Sequence, residues 1–448
     1  MKTLTIDHLS HDLRGVARVD GVAWLVDGAL PGEQVSVRER ERYSHRVEAD
    51  LAEIIHASTE RITPACECAQ QCGGCDLQHM DYATQLLSKQ QVLKEQLSRI
   101  AGFAQAQWLE PLFAESWSYR RRARIACQWS SDRKYLAVGF RQRHSKAIVE
   151  INHCAVLVPA LQKLLPALRE CLSQWSQPRQ LGHIELLAAD NGIGILLRTV
   201  SAVKEKDQML LQRLAAEYAV TVYVQQDDKN SIQYFCGKNQ NLVVRNALLG
   251  ANISCVPGDF LQANAAVNTL LVDEVIKTLQ PTLSDKVLEA FCGLGNFTLP
   301  LAKKVERIAA LEVSEAMVER AQLQSTSQGL NNIDWVRCNL DNQKSCEKSY
   351  LQVNKILLDP PRDGAQTFCR YVNLEGVERI VYVSCNPATL VRDADILASR
   401  GFSLASVRML DMFPQTSHIE TLAVFSPVSK KNKQPQSNQK KALKKLKR

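Results

Sequence analysis

The chain has 448 residues, of which 45% are hydrophobic and 23% charged, with a formal net charge of +8 and 14 cysteines. Such a length accommodates two or three domains, each with its own core. No apolar run reaches the ~18 residues of a membrane span, and Met1-Lys2-Thr3-Leu4-Thr5-Ile6-Asp7 lacks the apolar centre of a secretory leader. A helical membrane protein or a secreted one is therefore not expected; a cytoplasmic protein with free or metal-bound thiols is.

Residues 1–57 read as short strands with alternating polarity: Gly15-Val16-Ala17-Arg18-Val19, Gly21 to Val26, and Gln34-Val35-Ser36-Val37-Arg38, with Gly and Pro in the turns. This pattern predicts a small β-barrel. Gly15-Val16-Ala17 followed by Ala29-Leu30-Pro31-Gly32-Glu33 resembles the TRAM domain, an OB-like RNA-binding barrel.

Residues 58–254 are expected to form an α+β middle domain. Cys66, Cys68, Cys72 and Cys75 place four thiols within ten residues, a spacing that points to a metal site. Two ligand sets are open. Cys68, Cys72 and Cys75 have the C-x3-C-x2-C spacing of radical S-adenosylmethionine enzymes. Cys66, Cys72 and Cys75, closed by the distant Cys154, would instead fully ligate a cluster. The second set is favoured, because a barrel-like module precedes the cysteines and no repeated strand–helix units follow directly. Zinc also accepts four thiolates. Helices are expected from Tyr82 to Ile100 and from Pro159 to Leu172. Between them, Glu115 to Lys146 holds nine Lys or Arg against Glu115 and Asp132, interleaved with Trp117, Tyr119, Trp129, Tyr135 and Phe140. Cations mixed with stacking rings suit unpaired RNA.

From 255 to 428 strands and helices alternate, predicting a doubly wound parallel sheet. Strand Lys286-Val287-Leu288-Glu289-Ala290-Phe291 leads into the turn Cys292-Gly293-Leu294-Gly295-Asn296, and Glu312 ends the next strand 19 residues after Gly293. A glycine turn with an acid at that distance suits a nucleoside cofactor. Without a third glycine or a phosphate-binding Lys, S-adenosylmethionine is favoured over NAD. Asn339 closes the third strand as an adenine-side contact, and the fourth delivers Asp359-Pro360-Pro361-Arg362. The fifth strand ends at Cys385, before Asn386-Pro387, a helix start whose amide dipoles favour a thiolate. In Ser417-His418-Ile419-Glu420 either His418 or Glu420 could move protons. Residues 430–448 carry eight Lys and Arg448 with no acid, so the 429–448 tail is expected to be disordered and attracted to phosphates.

The set Phe260-Leu261-Gln262-Ala263-Asn264, Phe291 to Asn296, Leu358 to Arg362, Ser384-Cys385-Asn386-Pro387 and His418-Ile419-Glu420 closely resembles the RNA (uracil-5-)-methyltransferase family. With the TRAM-like and cysteine-rich segments, the resemblance is to the ribosomal branch. It implies a C-terminal Rossmann-like methyltransferase domain that methylates C5 of a uracil in 23S ribosomal RNA, at position 1939 in that branch. By the same resemblance Gln262, Phe291, Asn296, Glu312, Asn339 and Asp359 line the S-adenosylmethionine site. Cys385 is the nucleophile and Glu420 the base. Cys66, Cys72, Cys75 and Cys154 hold a 4Fe-4S cluster, and Cys68 has no family role. A monomer is expected. Two other classes remain open here: a radical enzyme that needs Cys68 but not Cys385, and a binding-only ribosome-assembly factor indifferent to both Asp359 and Cys385.

Overall fold

The structure is a computed structural model that describes residues 1–100, 102–227, 232–246, 250–348 and 352–428. The basic tail expected at 429–448 lies outside the described residues. Among those described, no helix is long and apolar enough to cross a membrane.

The first six strands are β1 (Lys2–Thr5), β2 (His8–Leu9), β3 (Gly15–Val19), β4 (Val22–Val26), β5 (Gln34–Arg42) and β6 (Arg46–His56). They form one sheet in the order β1-β5-β6-β4-β3-β2. Period-two alternation turns Val35, Val37, Val47 and Ala49 inward against Trp24 and Val26. Three register shifts between β5 and β6 bend the pair. Glu33 is fully buried; it accepts the Leu30 amide at 2.8 Å and the Arg61 guanidinium at 2.7 Å, tying the sheet to the chain beyond it.

Helix α1 (Tyr82–Leu97) and strand β7 (Gln107–Leu112) follow the cysteines. A seven-stranded sheet comes next, built from β8 (Arg122–Ser130), β9 (Tyr135–Arg141), β10 (Ile148–Glu150), β11 (Leu181–Ala189), β12 (Gly192–Thr199), β13 (Val220–Gln226) and β14 (Gln233–Cys236). Helices α2 (Pro159–Ser173) and α3 (Glu205–Tyr218) cover it, packing Leu161, Leu164, Leu168 and Leu211 onto Ile125, Ile184 and Ile195.

A hairpin of β15 (Leu242–Asn246) and β16 (Ala251–Cys255) leads to the last unit. It comprises α4 (Ala265–Leu279), β17 (Lys286–Ala290), α5 (Thr298–Ala302), β18 (Arg307–Glu312), α6 (Glu315–Ser327), β19 (Ile333–Arg337), α7 (Gln343–Glu347), β20 (Lys355–Leu358), α8 (Gln366–Tyr371), β21 (Arg379–Ser384), α9 (Pro387–Ser399), β22 (Phe402–Leu410) and β23 (Glu420–Pro427). The sheet order is β19-β18-β17-β20-β21-β23-β22-β7. The first five strands in that order run parallel. Their apolar runs are continuous because both faces are covered: Leu288, Leu311, Ile356 and Ile380 enter one core, and Val287, Ile308, Leu357 and Val381 the other.

Two elements of the 58–254 stretch belong to this C-terminal sheet. β7 pairs in parallel with β22, where it covers an edge that would otherwise be unpaired. α1 sends Leu93 and Leu97 into the core shared with β20 and β21. The strand order reverses direction between β17 and β20, which opens a crevice at the strands' carboxyl ends.

Candidate active site

That crevice is a cavity of about 1070 Å³, and Gln262, Phe291, Asn296, Glu312, Asn339, Asp359, Cys385 and Glu420 all line it. Each of the eight expected side chains thus reaches one chamber.

In the cofactor half, the chain leaves β17 through Phe291 (φ 64°), Gly293 (φ 56°) and Gly295 (φ 90°). Left-handed backbone favours glycine. At Gly295 space demands it as well, since a Cβ would lie 2.9 Å from Cη2 of Trp335. The turn is tied to the neighbouring strand: the Gly293 amide donates to Oε2 of Glu312 at 3.1 Å, and the Ser314 amide to Oε1 at 2.9 Å. Asn296 and Asn268 of α4 exchange amide hydrogen bonds, 2.9 Å each way. Asn339 is exposed and accepts the Asp341 amide at 2.9 Å. The Gln262 carbonyl takes Nε of Arg121 at 2.9 Å, and the Leu261 carbonyl takes Nη1 of Arg122 at 2.7 Å.

This corrects part of the expected RNA platform. Arg121 and Arg122 hold the backbone of the cofactor segment, and Tyr119 is buried with its hydroxyl on the Pro414 carbonyl at 2.9 Å. Arg124, Arg133, Lys134, Tyr135, Arg141 and Lys146 are exposed and keep the basic face.

In the reaction half, β21 and β23 are antiparallel, and their last rung pairs Ser384 with Thr421. Cys385 and Glu420 each lie one residue beyond that rung, at the same end of the ladder. Directly opposite positions in such a ladder have Cβ atoms about 5 Å apart. Main-chain geometry alone therefore brings thiol and carboxyl together. Asn386 caps α9, accepting the Ala388 amide at 3.1 Å, and its Nδ2 donates to the Arg362 carbonyl at 3.0 Å.

The thiolate expected from the helix dipole is not what the surroundings favour. Burial pushes the Cys385 thiol up to about 11; the Glu420 and Asp359 carboxyls push the same way, and Arg362 opposes them. Burial also lifts the Glu420 carboxyl well above the usual range, with Asp359 adding to it. Asp359 packs deep with an edge facing the cavity, and burial lifts it to about 7. The dipole is real but local, and burial, with two carboxyls from other strands, outweighs it. The arrangement is a nucleophile and a base held side by side, the Cys385 thiol at rest protonated near neutrality and the Glu420 carboxyl shifted towards its protonated form.

The sequence matches the family described as tRNA (Uracil-5-)-methyltransferase over residues 81–427. The chain belongs to this family. It is 40% identical over 424 residues to the 23S rRNA (uracil(1939)-C(5))-methyltransferase RlmD of Vibrio cholerae serotype O1 (strain M66-2), covering 94% of this chain and 95% of that protein. The RlmD of Pseudomonas aeruginosa (strain UCBPP-PA14) is 39% identical over 432 residues, covering 94% and 93%. In fold, the chain is similar to the crystal structure of Pyrococcus abyssi tRNA (uracil-54, C5)-methyltransferase in complex with S-adenosyl-L-homocysteine. The TM-score is 0.73 at 23% identity, over 95% of this chain and 100% of that one. The whole is thus a multi-sheet α/β protein with a methyltransferase-like fold.

The family's methyltransferase segment begins just after the cysteines. Cys66, Cys68, Cys72, Cys75 and Cys154 line a second cavity, of about 500 Å³. Among the described residues, no three His, Cys, Asp or Glu side chains converge closely enough to hold a single metal ion. The Gly74 N–H donates to Sγ of Cys72 at 3.4 Å, and the Leu157 amide closes the turn after Cys154 on that residue's carbonyl at 3.0 Å. Burial raises Cys72 and Cys154, and Cys75 to about 12. Gly73, Gly74, Asp76 and Arg120 border both cavities, so the cysteine loop is a wall of the active site.

Sequence reasoning did not anticipate that shared wall, nor the grip of α1 on the segment before Glu420. One signal was available: Gln85 and Lys89 occupy the i and i+4 positions of the α1 face that continues with Val92 and Leu93, where apolar residues belong.

Proposed function

We propose that this chain is an S-adenosylmethionine-dependent enzyme that methylates C5 of a uracil in 23S ribosomal RNA, at position 1939 as in the RlmD relatives. The observation that carries the reading is the placement of Cys385 and Glu420 one residue past a common rung, facing the cavity that also holds Asp359 and the glycine turn. C5 of uracil is a poor nucleophile. Attack of the Cys385 thiolate on C6 moves electron density to C5. S-adenosylmethionine, bound by Gln262, Phe291, Asn296, Glu312, Asn339 and Asp359, supplies an electrophilic methyl group. Once C5 carries the methyl, Glu420 takes the C5 proton, the electron pair re-forms the C5–C6 double bond, and the sulfur leaves C6. The target base must leave its stack to reach the cavity.

Cys66, Cys72, Cys75 and Cys154 would hold a 4Fe-4S cluster. What supports this is that the four cysteines line one cavity and that the Gly74 amide donates to the Cys72 sulfur, a bond that suits a thiolate. Its contribution is to brace the loop that walls the active site. The β1–β6 sheet reads as the TRAM-like barrel and the β17–β23 unit as the Rossmann-like domain. The protein would work as a cytoplasmic monomer. A radical enzyme or a binding-only assembly factor would leave the Cys385–Glu420 pair without a purpose.

Glu420→Gln, incubated with the RNA and cofactor, is expected to accumulate a covalent RNA–protein adduct visible on a denaturing gel, and Cys385→Ala to form none. Full methylation by Cys385→Ala would sink the proposal.

A further inference from the structure

The segment between β22 and β23 carries His418 and delivers Glu420, and residues 76–89 grip it. Lys89, at the centre of α1, is wholly buried; its Nζ donates to Oδ1 of Asp411 at 2.7 Å and to the Phe413 carbonyl at 3.2 Å. The Tyr82 hydroxyl donates to the other Asp411 oxygen at 2.9 Å. One turn away, Gln85 Nε2 donates to Oε1 of Gln415 at 3.0 Å, and the main-chain N–H of Gln415 donates to Oε1 of Gln85 at 3.1 Å. Gln415 has φ 67°, and its carbonyl takes the Asp76 and Leu77 amides at 2.9 and 3.0 Å. Ser417 donates its amide and hydroxyl to Oδ2 of Asp76 at 3.3 and 3.2 Å.

This is more than a hairpin needs to close. An ion pair with both side chains fully buried is costly to desolvate and is a weak source of stability compared with an apolar pair. Its place is informative: Leu410 pairs with Glu420 in the ladder, and Asp411 follows directly. Among the described residues lining the reaction cavity, none of Gln85, Lys89, Asp411 or Gln415 is found, so the four act on it only through the segment they hold.

We infer that the Lys89–Asp411 ion pair and the Gln85–Gln415 amide pair are positioning groups that keep the Glu420 carboxylate within reach of C5 of the bound uracil. They set the rate of proton removal, not the affinity for RNA or the attack by Cys385. This rests on the reading of Glu420 as the base. In the step they govern, the C5–H bond breaks, the proton passes to Glu420, and its electron pair forms the C5–C6 double bond as the Cys385–C6 bond breaks.

Two full-length variants test this. Lys89→Met with Asp411→Asn removes both charges together, leaving none buried alone. Gln415→Gly keeps the left-handed backbone and the main-chain N–H bond to Gln85, and removes the side-chain oxygen that Gln85 Nε2 donates to. The substrate is a transcript of the 23S target region tritiated at uridine C5, with S-adenosylmethionine added. For folded variants, tritium release is expected to slow by about 10- to 100-fold, the scale on which small misplacements act. The covalent adduct should accumulate, while kcat/KM for RNA and the rate of adduct formation stay at parental values. Parental tritium release in a variant that melts cooperatively overturns the inference, as does an equal loss of adduct formation. Glu420→Gln run alongside separates the two levels. Parental release in that variant sinks Glu420 as the base, and the positioning role with it. Slow release there, with parental release in the two positioning variants, sinks the positioning role alone.

Discussion

At the scale of single residues, the reaction centre is a set of acids that must lose protons before they work. Cys385 reacts as a thiolate and Glu420 as a carboxylate, and the fold raises both. A raised pKa moves the growth of the reactive form to higher pH, and at Cys385 it leaves the thiolate scarce at neutral pH. With the thiol near 11, kcat/KM should climb by about tenfold per pH unit between roughly pH 6 and 9, because it covers the steps up to methyl transfer and so the thiol's ionisation, while Glu420 acts after them. A flat or falling profile would contradict the thiol's placement. Arg362 is the cation that opposes the rise at Cys385. Arg362→Met should therefore move the whole limb to higher pH, read from the same rate measurements.

At the scale of elements, the glycine turn after β17 is the least forgiving piece. Gly295→Ala places a Cβ against the Trp335 ring on a left-handed backbone. An overpacked site of this kind costs about 1–3 kcal/mol, so weaker cofactor binding by calorimetric titration and a lower melting temperature are both expected. The turn was legible in the sequence because everything it needs is local: an apolar run, two glycines, and an acid at the next strand's end. The five parallel strands were legible for the same reason. What the sequence concealed depends on pairing across long separations. β7 is borrowed by a sheet whose other strands begin at Lys286, and Lys89 finds Asp411 across 322 positions. The sign of the Cys385 shift was misread on the same grounds: the helix start is written next to the cysteine, whereas the packing that buries the thiol, and the Asp359 and Glu420 carboxyls, arrive from other strands. Of the basic segment, composition revealed the charge but not that Arg121 and Arg122 turn inward to hold residues 261 and 262.

At the scale of the whole molecule, charge is divided between a nearly neutral body and a tail carrying nine positive charges in residues 430–448. Truncation after Val428 should weaken RNA binding and flatten its dependence on salt, by about 0.7 in the log–log slope for each phosphate of single-stranded RNA that the tail neutralises. Filter binding across a potassium chloride series reads this directly, and kcat at saturating RNA should not change. The rung between Ser384 and Thr421 has a consequence for register as well as for chemistry. It ties the spacing of nucleophile and base to main-chain hydrogen bonds, which no point substitution nearby rewrites. A slip of one residue, by contrast, turns every side chain of a strand to the other face. A register slip between β21 and β23 would therefore part the pair outright, whereas a substitution in the 411–419 hairpin acts only through how that hairpin is held.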